Sequence, residues 1–161
     1  MKIYIGSDHR GFPLKEKVRE WLIADSYSVE DMGAYELNPD DDYTEFAQKV
    51  ASVVGDYYTG RIQDGGKKHT GVRGILFCGS GVGVDIVANK FDGVRASIGL
   101  SSEQVKAGRT DDDMNVLVIA SDFTDEEKVQ EMITVFLEIE FDGKSRHVRR
   151  LEEIEKIEKS N

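Results

Sequence analysis

The stretch Arg73–Lys90, RGILFCGSGVGVDIVANK, limits what this chain can fold into more than any other. Its apolar run Gly74-Ile75-Leu76-Phe77 has no polar alternation and reads as a fully buried strand. Cys78 closes that strand, and Gly79, Ser80, Gly81, Val82 and Gly83 follow. Val84, Ile86, Val87 and Ala88 then begin a helix. Alternate glycines let the loop turn tightly, so that its amides and the helix N-terminus can face an anion or a developing oxyanion. Positive potential there is expected to favour the thiolate of Cys78. The competing structural reading makes Cys78 a small buried residue at a strand end. A dinucleotide site is disfavoured, because GSGVG lacks GxGxxG spacing and follows an internal strand.

Other segments repeat the strand-then-helix pattern. Lys2–Gly6 is a short β-type run, and Ser7-Asp8-His9-Arg10-Gly11 is a polar turn leading to Pro13, a good first-turn helix residue. Leu14, Val18, Trp21 and Leu22 recur at helical spacing. Ser28–Met32 predicts a second strand, and a helix from Tyr43 to Val54 turns Phe46, Ala47, Val50 and Val54 inward. Residues 55–70 have no period and several glycines, which predicts an exposed insertion. Gly93–Ile98 predicts a fourth strand, Ser102–Arg109 a helix capped by Ser101 or Ser102, and Asn115–Ile119 a fifth strand. A helix over Asp125–Glu138 and a helical tail over 146–158 complete the chain. The tail carries Val148, Leu151, Ile154 and Ile157 as an apolar stripe that needs a surface to cover.

Five short strands alternating with helices predict a doubly wound α/β domain: a five-stranded parallel sheet in a Rossmann-like three-layer sandwich. The common order 2-1-3-4-5 makes the first and third strands neighbours and brings Asp8-His9 and Cys78–Gly83 to one crevice beyond their carboxyl ends. At 161 residues and 39% apolar content, one domain over 1–161 is expected. No apolar run approaches membrane-spanning length and no signal-peptide pattern opens the chain, so a cytoplasmic protein is expected. The single cysteine excludes an internal disulfide and a cysteine-rich zinc site. A net charge of −10 repels nucleic acid, and the one basic cluster, Arg146-His147-Val148-Arg149-Arg150, suits a phosphate rather than a duplex. It serves equally as a solvated face balancing Glu152, Glu153 and Glu155.

The segments GSDHRGFPLKEKV, DYTEFAQKVA, ILFCGSGVGVDIVANKFDGVRA, NVLVIAS and FDGKSRHVRRLEEI resemble, in order and over most of the chain, the ribose-5-phosphate isomerase B family, which includes galactose-6-phosphate isomerase subunits. The resemblance implies a sugar-phosphate aldose-ketose isomerase working through a cis-enediolate without metal or cofactor. It also implies a homodimer, or a dimer of dimers, whose pockets take residues from both subunits, with the tail helix packed on the partner. Cys78 falls at the proton-shuttling base, and Asp8 and His9 at substrate and phosphate contacts. Gly79, Ser80, Gly81, Val82 and Gly83 fall at the oxyanion loop, and Arg146 and Arg150 at the phosphate arginines. Two guanidinium groups four residues apart share a helix face and match a phosphate dianion.

The chain departs from that pattern in two places. Asp111 and Asp112 stand where the family has a ring-opening histidine and an asparagine, and Asp122 stands where it has a phosphate arginine. An aspartate with an ordinary pKa of about 3.9 is a poor acid near neutrality. Asp111 is therefore either a replacement in the catalytic set, with Asp112 beside it at the substrate, or part of a cap or loop. Arg61, Lys67, Lys68 and His69 in the insertion are candidate replacements for the lost groups. The rival functions are isomerisation of a tetrose or hexose phosphate, and sugar-phosphate binding by a catalytically silent paralogue.

Overall fold

The computed structural model describes residues 1–60 and 71–160, so Arg61, Lys67, Lys68 and His69 lie outside the described residues. Five parallel strands form one sheet: β1 (Lys2–Ser7), β2 (Ser28–Asp31), β3 (Val72–Cys78), β4 (Ala96–Ile98) and β5 (Val116–Ala120). The helices between and after them are α1 (Phe12–Ala24), α2 (Tyr43–Tyr58), α3 (Val82–Ala88), α4 (Ser102–Asp112), α5 (Glu126–Glu138) and α6 (Ser145–Glu158).

The two-residue period of the strands divides the core. Ile3, Ile5, Ile75, Phe77, Leu117 and Ile119 point to one face, against Val18 and Leu22 of α1, Val105 of α4 and Ile133 and Phe136 of α5. Leu76, Cys78, Val116 and Val118 point to the other, against Val50 and Val54 of α2 and Val84 and Ala88 of α3. The result is the three-layer sandwich that strand-helix alternation predicts, and β1 and β3 are neighbours as required for the crevice. Helix α6 lies outside this sandwich against α4.

Four boundaries or placements correct the sequence reading. The sheet order is β2-β1-β3-β5-β4, with β5 between β3 and β4. All five residues of β5 are buried, which suits an interior strand, whereas β4 has three half-buried residues and suits an edge. β4 starts only at Ala96, because Gly93 turns the chain at φ +78° and Asn115 Oδ1 takes the Arg95 amide. Helix α2 continues through Gly55–Tyr58, so the insertion does not begin at residue 55: Tyr57 extends the apolar face of Val50 and Val54, and the Gly55 Cα packs against the Asp92 carbonyl. Helix α4 runs on to Asp112 and ends at Asp113, a residue in the left-handed region that accepts from both Arg109 and Arg95. Ser101 is its N-cap, with its Oγ accepting from the Gln104 amide at 3.3 Å.

Candidate active site

At the carboxyl end of β3, Cys78 is 7% exposed and its thiol donates to Asp8 Oδ2 at 3.0 Å. Asp8 follows directly from β1 and is itself buried, and its other oxygen accepts from the Gly11 amide at 2.8 Å. The carboxylate therefore shapes the turn into α1 and faces sulfur at the same time. Gly79 and Gly81 point their amides at Sγ, and these favour the thiolate. Burial and Asp8 prevail, however, and push the Cys78 thiol up to about 11. The expectation that the loop favours a thiolate is thus reversed in the isolated chain, because burial first, and then a carboxylate 3.0 Å away, outweigh two amide dipoles.

The loop is held from several sides. Ser121 and Asp122, just past β5, donate their amides to the carbonyls of Cys78 and Gly79 at 2.8 and 3.1 Å. Gly81 takes φ +76°, where a side chain would be strained. Ser80 is exposed, its hydroxyl accepting from the Val82 amide at 3.4 Å, and Val82 opens α3 with its side chain in solvent. The ring of Tyr43 lies on Gly83, so close that a Cβ there would meet Cε2 at 2.7 Å. His9 Nδ1 meets Asp41 Oδ1 at 2.7 Å, which anchors the ring to the acidic loop before α2. Asp8, His9, Cys78 and Gly79–Gly83 are thereby assembled as expected.

The other candidates lie elsewhere. Asp111 and Asp112 end α4, immediately before the amino end of β5, while Cys78 sits at the carboxyl end of β3. Val116 is level with Gly74, so the four-residue run to Cys78 alone separates the two regions by about 13 Å. Arg146 and Arg150 belong to this second region through α6. Buried His147 holds it together: Nδ1 meets Asp142 Oδ1 at 2.8 Å and lies 3.8 Å from Asp111 Oδ1, and Nε2 accepts from Arg146 Nε at 2.7 Å. Asp142 is held well below the usual carboxylate range by Lys144, with His147 adding to the effect. Asp111, Asp142 and His147 bring donor atoms within 4.8 Å of one another. Both ring nitrogens of His147 are already engaged, so the cluster is a hydrogen-bond network that aims Arg146 and not a ready metal site.

Three participants escape sequence reasoning. Arg10 packs its guanidinium over Gly79 and pairs with Asp122. Asp41 anchors His9 across 32 positions, and His147 buttresses Arg146. Only Arg10 has a sequence signal, its place in the same turn as Asp8 and His9; the other two pairings arise from tertiary packing.

Residues 3–154 match the family model described as Ribose/Galactose Isomerase. A probable ribose-5-phosphate isomerase B from Mycoplasma genitalium is 38% identical over 159 residues, 98% of this chain and 95% of its own length. A 4-deoxy-4-sulfo-D-erythrose isomerase from Clostridium sp. strain MSTE9 is 36% identical over 119 residues, 74% of this chain and 67% of its own length. The crystal structure of a Mycoplasma genitalium ribose-5-phosphate isomerase B with bound ribulose-5-phosphate superposes with a TM-score of 0.87 at 34% identity, covering 99% of this chain and 97% of that one.

Proposed function

This chain belongs to the ribose/galactose isomerase family and is a sugar-phosphate aldose-ketose isomerase, and from that premise we propose that it interconverts ribose 5-phosphate and ribulose 5-phosphate with Cys78 as the base. One observation carries the assignment of the base: a buried thiol bonded to Asp8, with the Gly79 and Gly81 amides turned toward it. In the aldose-to-ketose direction the thiolate takes the proton from C2, and the electron pair flows into the C1 carbonyl to leave a cis-enediolate. The loop amides and the Ser80 hydroxyl hold the negative oxygens. Sulfur then returns the proton to C1 while a proton passes from O2 to O1, so nothing is consumed.

The pocket in this proposal is completed by a second copy. Asp111 and Asp112, with Arg146 and Arg150, lie at the opposite strand end from Cys78 of their own chain, and in this proposal they serve the cysteine of a partner, the aspartates at the sugar ring and the arginines at phosphate. Exposed apolar side chains support such a pairing: Val82 and Ile86 on α3, Leu100 after β4, and Ile154 and Ile157 on α6. Among the described residues no helix is long and apolar enough to cross a membrane, and a cytoplasmic site of action is part of the same proposal.

A second reading is a four-carbon substrate. The Clostridium relative is named for a four-carbon sulfo sugar, and a chain of that length has no ring for Asp111 to open. Turnover of ribose 5-phosphate, erythrose 4-phosphate and allose 6-phosphate in deuterium oxide, followed by NMR for wild type and Cys78→Ala, tests both readings. Cysteine-dependent exchange and turnover of the pentose is the expected result. Turnover of the tetrose alone would select the second reading, and an active Cys78→Ala enzyme would remove the base assignment.

A further inference from the structure

Arg10 lays its side chain directly on the loop after Cys78. A Cβ built on Gly79 would come within 2.5 Å of the Arg10 Cζ and 2.9 Å of its Cδ, so the guanidinium stem rests on the bare glycine. One Nη donates to Asp122 Oδ2, and the Asp122 amide donates to the Gly79 carbonyl at 3.1 Å. The guanidinium is thus fixed from both ends against the same peptide. Its side chain is 55% exposed, and its remaining N–H groups make no hydrogen bond among the described residues. Arg10 presents those donors to solvent at the loop that follows β3, against Gly79 and Asp122.

We propose that Arg10, oriented by Asp122, is an anion-binding residue that the cysteine-bearing chain supplies in addition to His9, and that it grips the terminal phosphate or sulfonate of the sugar. This deepens the proposed function and rests on it for the sugar. The fork geometry suits a tetrahedral oxyanion, which can take two parallel N–H bonds. Asp122 is a positioning residue in this scheme. Its negative charge also tempers the site, so the pair offers directed donors with little net charge.

Calorimetric binding of inorganic phosphate, with sulfate as a second tetrahedral oxyanion, tests the assignment without requiring turnover, so a wrong choice of sugar leaves it intact. Arg10→Ala is expected to weaken phosphate binding about ten- to a hundred-fold, as loss of a charge-assisted contact does. Arg10→Lys should recover part of that loss by supplying charge without the fork. Asp122→Asn keeps an acceptor for Arg10 and removes a repelling charge, so phosphate should bind as tightly as in wild type or more so. Steady-state kinetics should place the Arg10→Ala loss in KM far more than in kcat. If Arg10→Ala lowers the melting temperature but leaves phosphate and sulfate affinity unchanged, Arg10 only ties the loop to β5 and the proposal is overturned. Tighter binding in Asp122→Asn combined with unchanged binding in Arg10→Ala would overturn it equally, by assigning the anion to another cation.

Discussion

Asp8 adds to burial in holding the proton on Cys78, and replacing it with asparagine isolates its share. The thiol is raised from an ordinary 9.0 to about 11 by burial first and then by the Asp8 hydrogen bond and charge, with the Gly81 and Gly79 amides opposing. That difference disfavours the thiolate by about 2.7 kcal/mol and leaves on the order of one sulfur in a thousand ionised at pH 8. Asparagine is nearly isosteric and can still accept from the thiol, but it brings no charge within 3.0 Å of sulfur. The burial contribution stays and the two Asp8 contributions are relieved, so the midpoint should fall by about one pH unit and ionisation at pH 8 should rise about ten-fold. The assay is the pH dependence of iodoacetamide alkylation read by intact-mass spectrometry, with the midpoint compared and not the absolute rate, since burial slows access equally in both proteins. Turnover should nonetheless fall in Asp8→Asn, because Asp8 also holds the turn that carries His9 and Arg10. A midpoint unchanged or raised in Asp8→Asn would refute the reasoning and leave burial as the whole cause.

Other consequences follow from the same geometry. Because the folded protein keeps the Cys78 proton to a higher pH than the unfolded chain, its stabilising effect is complete below pH 9 and is lost as pH rises from 9 to about 11; the melting temperature of Cys78→Ser should fall less steeply over that range than that of wild type. Lys15 is fully buried, with Nζ donating to Asp31 Oδ2 at 2.6 Å and to the Ala34 carbonyl at 2.7 Å. Lys15→Met strands those acceptors and should cost about 3 kcal/mol in denaturant-induced unfolding. Mixing and refolding Cys78→Ala with an Arg146→Ala/Arg150→Ala double variant should restore about one quarter of wild-type activity, because half of the random dimers are mixed and each mixed dimer contains one intact pocket. No recovery would mean that cysteine and arginines act within one chain.

What was legible in the sequence was local or followed from simple topology. The strand-cysteine-loop-helix unit needs only its own residues, and the Asp8 to Cys78 contact needs only that β1 and β3 be neighbours, a rule shared by both strand orders considered. The interior place of β5 is legible in composition but hidden by the common order 2-1-3-4-5: Val116–Ala120 is wholly apolar, whereas residues 93–98 alternate with Arg95 and Ser97, the pattern of a half-buried edge strand. The reach of α2 was hidden by Gly55, a helix breaker by propensity, which is tolerated because a Cβ there would strike the Asp92 carbonyl at 2.7 Å. The direction of the Cys78 shift is hidden for a related reason: the loop amides are visible in a glycine motif, but neither the burial of the thiol nor a carboxylate 70 positions away is.

The charges around Cys78 give a physical reason for the divided site of the proposed function. Asp8, Asp41 and Asp122 stand there against His9 and Arg10, so a phosphate dianion approaching one chain alone meets more carboxylate than cation. At the other end of the sheet, Arg146 and Arg150 are exposed, and Arg150 makes no ion pair among the described residues. An antiparallel pairing of two chains would lay those guanidinium groups beside the acidic half of the partner's pocket and correct both imbalances at once. It would also change the thiol, since cations near Asp8 offset the carboxylate that keeps sulfur protonated. The alkylation midpoint of Cys78 in the Arg146→Ala/Arg150→Ala variant should therefore lie above that of wild type, although neither arginine approaches sulfur within its own chain. A midpoint that does not move would place the arginines too far from the cysteine to act in its pocket, and the phosphate would then depend on Arg10 and His9 alone.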